Sequence, residues 1–228
     1  MGPMKLGVFG GSFNPVHHGH LHLARCARRL FGLKQILFVV AGSPPHKPAL
    51  DLAPFAHRYA MVCMATAGYP ALVPSLVELE QPTSPFSVHT MGKIALRYAG
   101  SRVSLYFIAG GDSLLDVRTW REGEQLLSSY SFVFALRPGV ELDEISTILP
   151  PKARPHVCDL RRFRSRSLRE RIEAEEASRE KRIFIVDVAA PDISASRIRD
   201  LAAAGKQIRH LVPAPVHEYI QKLHLYGE

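Results

Sequence analysis

The chain has 228 residues, 46% hydrophobic and 22% charged, with a formal net charge of +8; it can bury one good core, and its composition argues against disorder or a membrane protein. No run of eighteen or more apolar residues occurs, and the first thirty hold a glycine- and histidine-rich string where a secretory signal needs an uninterrupted apolar stretch, so a cytoplasmic location is expected. Cys26, Cys63 and Cys158 form no C-x-x-C pair, which argues against a disulfide framework or zinc knuckle, and the excess positive charge attracts anions without choosing among them.

Lys5-Leu6-Gly7-Val8-Phe9 is a short apolar run of strand formers. Leu21, Leu23, Ala24, Ala27 and Leu30 then recur at helical spacing, so the string from Gly10 to His20 lies between a first strand and a first helix. Gly10 and Gly11 let the backbone turn sharply, and the helix start offers unpaired N–H groups and a partial positive charge, for which phosphate is the natural guest. His17 and His20, three apart, would share one face of the first turn, where they can donate to phosphate oxygens or stabilise developing charge. Singly, these residues also fit an ordinary turn and a capping histidine. His17, His18 and His20 lack the i, i+4 spacing of a zinc helix and no Cys or Glu joins them, so metal coordination ranks behind phosphate binding.

Gln35 to Ala41 reads as a second buried strand, running into Gly42-Ser43-Pro44-Pro45-His46-Lys47-Pro48, which can be neither helix nor central strand. Ala53 to Gly68 has helical spacing, with Arg58 facing away from the apolar cluster of Tyr59, Met61, Val62 and Met64. Leu72 to Glu80 reads as a strand, Ser87 to Tyr98 as a helix, and Val103 to Ala109 as a buried strand that stops at Gly110-Gly111-Asp112-Ser113. A short helix through Leu114 and Leu115 leads to Trp120 and to a helix over Glu122 to Leu127; Tyr130 to Leu136 is a strand closed by Arg137-Pro138-Gly139.

From Val140 to about Arg166 the pattern fades into a variable connection with room for one short element. The basic run from Arg161 to Arg166, followed by acid-rich Glu170 to Glu180, reads as a solvated loop entering an exposed helix over Leu168 to Glu180, in preference to an RNA-binding patch; Phe163 alone offers little for base stacking. Arg182 to Val188 is the last strand, Ile193 to Arg199 opens a helix reaching about Ala204, and Val216 to Leu223 forms the final helix. This alternation predicts an α/β fold: a doubly wound, Rossmann-like parallel sheet with helices on both faces, one domain over 1–228 with a charged insertion at about 140–181. The loops Gly10 to His20, Pro44 to Lys47, Gly110 to Ser113 and Arg137 to Gly139 should converge on one crevice at the carboxyl ends of the strands.

The string from Gly10 to His20 resembles the G-G-[ST]-F-[DN]-P-x-H-x-G-H signature of bacterial nicotinate-nucleotide adenylyltransferases, members of the [HT]-x-G-H nucleotidyltransferase superfamily. Asn14 stands where Asp is common, keeping size and hydrogen bonding but removing a charge. Ile193 to Arg199 is similar to the family's I-S-[SA]-[ST]-x-[IV]-R motif, and matches run from residue 7 to residue 226, poorest over Val140 to Lys181. The resemblance implies adenylyl transfer from ATP to nicotinate mononucleotide with release of pyrophosphate. His17, His20 and Arg199 would be catalytic, without a protein nucleophile, and a Mg2+ ion would be carried mainly by ATP. Gly10, Gly11, Ser12, Phe13, Gly110, Asp112, Arg137, Ser194 and Ser196 would meet ATP. Asn14, His46, Lys47, Arg58, Phe86, Ser87 and Trp120 would meet the mononucleotide, with Trp120 stacked on the pyridine and Phe86-Ser87, where the family has Tyr-Thr, near its carboxylate.

Other readings fare worse. A dehydrogenase lacks its G-x-G-x-x-G and the acid after the second strand, a P-loop kinase lacks G-x-x-x-x-G-K-[ST], and 228 residues leave little room for a tRNA-reading domain. Transfer to nicotinamide mononucleotide or pantetheine phosphate stays open, since phosphate motifs do not name the acceptor. A nucleic-acid-binding module built on the basic run is the alternative of another class. Oligomeric state is left open, a homo-oligomer included.

Overall fold

Strands that read as unbroken apolar runs need cover on both faces, which a parallel sheet between two helix layers supplies. The computed structural model, which describes residues 2–43, 52–136, 148–178, 180–189 and 191–227, has that architecture. Its strands are β1 (Met4–Gly11), β2 (Gln35–Val40), β3 (Leu72–Ser75), β4 (Val103–Gly110), β5 (Ser131–Leu136), β6 (Val157–Asp159) and β7 (Ile183–Asp187). All pairings are parallel, in the spatial order β3-β2-β1-β4-β5-β7-β6. The described helices are α1 (His18–Phe31), α2 (Phe55–Thr66), α3 (Ser87–Arg97), α4 (Gly111–Asp116), α5 (Gly123–Ser129), α6 (Ser165–Ala177), α7 (Ala195–Ala203) and α8 (Ala214–Lys222).

Because strand side chains alternate between faces, each strand feeds two cores. Leu6, Val8, Leu37, Val39, Phe107, Phe132, Phe134 and Ile185 meet Met91 and Ile94 of α3, Leu114 of α4 and Leu126 of α5. Phe9, Ile36, Phe38, Val133, Phe184 and Val186 meet Ala24 and Phe31 of α1, Met61 of α2, Ile172 of α6, Ile198 of α7 and Val216 of α8. Each large side chain so buried contributes about 1.5–3 kcal/mol. The strand order turns back between β1 and β4, and such a switch point leaves a crevice at the carboxyl ends of the strands.

Three expectations are corrected. β3 ends at Ser75, not Glu80: among the described residues it pairs only with β2, and the chain leaves the sheet edge through a tight turn at Val77–Leu79. Arg58 does not face away from its apolar neighbours; it is 1% exposed, buried beside Met61 and Val62. The helix expected to be exposed over 168–180 is docked: Ile172 is buried, and Glu176 pairs with Lys5 and accepts the Tyr106 hydroxyl at 2.6 Å. The charged insertion adds β6 to the sheet edge beyond β7, three residues being too few to show a period. Within the basic run Arg161 pairs with Asp159 and Arg166 with Glu170, while the side chains of Arg162, Arg164 and Arg166 stay exposed to solvent. The Arg161 guanidinium holds the Asp159 carboxyl below the usual range.

Candidate active site

After β1 the chain passes through Ser12 and a left-handed Phe13 (φ 46°) before α1 begins. That backbone is unfavourable for a side-chain-bearing residue. Packing holds it: the Phe13 ring, 1% exposed, lies edge-on to Phe9 at 5.4 Å and to His20 at 5.0 Å. Phe13 is therefore a support beneath the site and is not among the residues that line it.

His17 caps α1 and His20 occupies its third position, with the two rings stacked 3.7 Å apart. The His17 main-chain N–H donates to His20 Nδ1 at 3.2 Å. A nitrogen that accepts does not carry the proton, so the neutral ring bears it on Nε2, as a donor. Gly19 lies between them because a Cβ there would come within 3.0 Å of the His17 ring. The amino terminus of α1 is less open than expected, since the His18 N–H already donates to the Leu211 carbonyl at 3.0 Å.

Asn14, 1% exposed, fastens distant segments together. Its Oδ1 accepts the Ala53 N–H at 3.1 Å and the Tyr226 hydroxyl at 2.9 Å, and its main-chain oxygen accepts Arg199 Nη1 at 3.0 Å. Burial pushes the Tyr226 phenol up, although Arg199 and Arg58 oppose the shift, so it remains a donor at neutral pH. A neutral amide oxygen accepts both donors, which explains how this position dispenses with a carboxylate. Arg58 lies under the same turn: Nε donates to Ala53, Nη1 to Ser12 and Ala41, and Nη2 to Gly42, all main-chain carbonyls at 2.7–3.2 Å. Burial lowers the pKa of its guanidinium from the ordinary value. Asn14 and Arg58, expected to touch the mononucleotide, form the framework of the turn and do not line the cleft.

The cleft over the switch point has a volume of about 400 Å³. Gly10, Gly11 and Ser12 at the end of β1, His17 and His20 of the α1 turn, and Gly110 and Asp112 at the β4–α4 junction line it together. Phe86, Ser87 and Trp120 also line it, with Trp120 edge-on to Phe107 at 5.6 Å so that it serves core and cleft at once. From the late motif only Ile193 and its neighbour Pro191 reach the lining. Ser194 and Ser196 do not; Ser194 caps α7, its Oγ accepting the Arg197 N–H at 3.2 Å, and Ser196 is exposed. Arg199 is also outside the lining but is drawn to the α1 turn by Asn14. His46, Lys47 and Arg137 lie outside the described residues.

Three charged lining residues, Glu78, Asp116 and Arg121, are not among those the sequence pointed to. Glu78 was hidden in the supposed strand over 72–80; it accepts the Thr90 hydroxyl and, at 3.5 Å, the Gly42 N–H. Burial pushes its carboxyl up, against the hydrogen bonds from Thr90 and Gly42 and the charge of Lys93. Arg121 sits beside Trp120 with its guanidinium 4.8 Å from the centre of the Phe86 ring, a contact with no local signal in the sequence. Among the described residues no three His, Cys, Asp or Glu side chains converge to hold a metal, and no helix is long and apolar enough to cross a membrane.

Residues 8–201 match the cytidylyltransferase-like family. The chain is 36% identical, over 98% of its own length and 98% of the relative's, to a probable nicotinate-nucleotide adenylyltransferase of Geobacter metallireducens. It is 37% identical, over 99% of each, to a protein of the same name from Pelobacter propionicus. Among solved structures it is similar to the nicotinic acid mononucleotide adenylyltransferase of Plasmodium falciparum complexed with NaAD, with a TM-score of 0.70 over 98% of this chain and 97% of that one; at 18% identity the likeness is one of fold.

Proposed function

Because the chain belongs to the nicotinate-nucleotide adenylyltransferases of the cytidylyltransferase-like family, we propose that it transfers the adenylyl group of ATP to nicotinate mononucleotide. The product is nicotinate adenine dinucleotide, in NAD biosynthesis. A phosphate oxygen of the mononucleotide attacks the α-phosphorus of ATP, the bond from that phosphorus to the bridging oxygen of the β-phosphate breaks, and pyrophosphate leaves. No protein nucleophile takes part.

One observation carries the reading: the stacked His17–His20 pair lines the cleft at the strand-order switch, and Arg199 is tethered to the same turn through Asn14, 185 residues earlier in the sequence. Catalysis would be positioning and charge stabilisation. The Nε2–H of His20 would donate to a phosphate oxygen, and Arg199 would turn toward the outer phosphates from its place beside Asn14. Gly10, Gly11, Ser12, Gly110 and Asp112 would flank ATP, and Trp120, Phe86 and Ser87 the pyridine. A Mg2+ ion fits as one that enters on the triphosphate, held by phosphate oxygens and water rather than a side-chain cage, and it would supply further neutralisation at the phosphates. We place the reaction in the cytoplasm, where ATP is available, with nucleotides and not nucleic acid as partners; a homo-oligomer is compatible with it.

The test measures pyrophosphate release from ATP with nicotinate mononucleotide, nicotinamide mononucleotide and pantetheine phosphate as acceptors. Nicotinate mononucleotide is expected to have the highest kcat/KM. His20→Ala should lower kcat by about 10²–10³, as loss of one donor to developing charge does elsewhere, with the thermal midpoint almost unmoved. Near-normal turnover of this variant would remove His20 from the chemistry. One observation favours the amide acceptor instead: Glu78, Asp112 and Asp116 all line the cleft, and acidic walls oppose a substrate bearing an extra carboxylate.

A further inference from the structure

Acidic side chains in the lining make acceptance of an acid a problem that some cation must answer. Among the described residues only one Arg or Lys lines the cleft, and it is Arg121. Its guanidinium stands 4.8 Å over the Phe86 ring, next to Trp120, which packs on the face of the sheet carrying α3 and α5, while α1 and the turn where the phosphates would gather pack on the other. A guanidinium held at a ring keeps N–H donors that match a carboxylate in a two-point fork. Its other charged contact is Glu122 at 3.5 Å, with both side chains about half exposed, a pairing too weak to hold the group away from a ligand.

Resting on the proposed acceptor class, we propose that the Arg121 guanidinium, seated over Phe86 beside Trp120, receives the pyridine carboxylate and so selects the acid mononucleotide over the amide. A neutral carboxamide gains no charge-assisted pair there and meets the same acidic walls without penalty. Removing Arg121 therefore acts on the choice of acceptor, while ATP binding at the other end of the cleft is untouched. Lysine keeps the charge but loses the fork, and restores part of the selectivity.

The experiment compares kcat/KM for nicotinate and nicotinamide mononucleotides in the wild type, Arg121→Ala and Arg121→Lys, with the KM for ATP as an internal control. Arg121→Ala should lower the acid-to-amide ratio roughly ten- to hundred-fold, as expected for one charge-assisted contact, chiefly through the KM for the acid, with the ATP KM within about twofold. Arg121→Lys should lie between. Since the side chain is 57% exposed, the fold should survive, which a thermal melt checks. If the wild type uses the acid and the ratio in Arg121→Ala moves less than about threefold, or both acceptors fall together, this assignment is overturned and the proposed function stands. If the wild type adenylylates neither pyridine mononucleotide, the function is overturned and this assignment goes with it.

Discussion

Replacing Arg58 by methionine removes a buried cation of similar length and leaves the carbonyls of Ser12, Ala41, Gly42 and Ala53 without their donors. An acceptor stranded away from water costs about 1 kcal/mol at the low end of the usual range, so four amount to about 4 kcal/mol. Two effects limit the loss: removal of the guanidinium relieves the desolvation that lowers its pKa, and water can reach these carbonyls in part, since Ser12, Ala41, Gly42 and Ala53 are each only half-buried. Net destabilisation of about 2 kcal/mol follows, or a thermal midpoint about 4–8 °C lower for a chain of this size. Because Ser12 and Ala41 line the cleft, the KM for ATP should rise as well. Urea and thermal unfolding of the wild type, Arg58→Met and Arg58→Lys provide the assay, with the lysine variant intermediate because an ammonium cannot span four acceptors. A methionine variant within about 1 kcal/mol of the wild type would refute the view that Arg58 is framework.

Gly19→Ala separates activity from stability: helix propensity improves by about 1 kcal/mol, which offsets the crowding of the His17 ring, while displacing that ring should cut kcat about tenfold or more. Steady-state kinetics beside a thermal melt checks this, and an active variant would mean the ring position is immaterial. Glu78→Gln tests the buried carboxyl. Its folded pKa is raised, so the wild-type residue contributes stability that is fully present below the unfolded pKa and is lost as pH rises through the folded value. The glutamine variant should thus gain on the wild type as pH rises above the ordinary carboxylate range; urea midpoints that keep a constant separation on both sides of that range would contradict the burial argument.

The legible part of this protein was local. Alternation of apolar runs with helical spacing placed β1, β2, β4, β5 and β7 and the helices around them to within a few residues, because burial on both faces of a sheet writes itself into neighbouring positions. The string from Gly10 to His20 was legible as a strand-to-helix turn for the same reason: strand end, glycines and helix start are contiguous. The end of β3 and the three-residue β6 were not legible, since an edge strand answers to a single partner and leaves too short a pattern.

What tertiary structure alone decided is which polar groups face ligand and which face protein. The hydrogen-bonding chemistry of Arg58, Asn14 and Arg199 is identical either way, and only packing put Arg58 beneath the turn, Tyr226 on Asn14, and Arg199 beside a residue 185 positions earlier. Packing likewise seated Arg121 over Phe86 and buried Glu78 against Thr90. Hydrophobic periodicity carries no record of such pairings, because they join residues that share neither a face nor a segment until the sheet has closed.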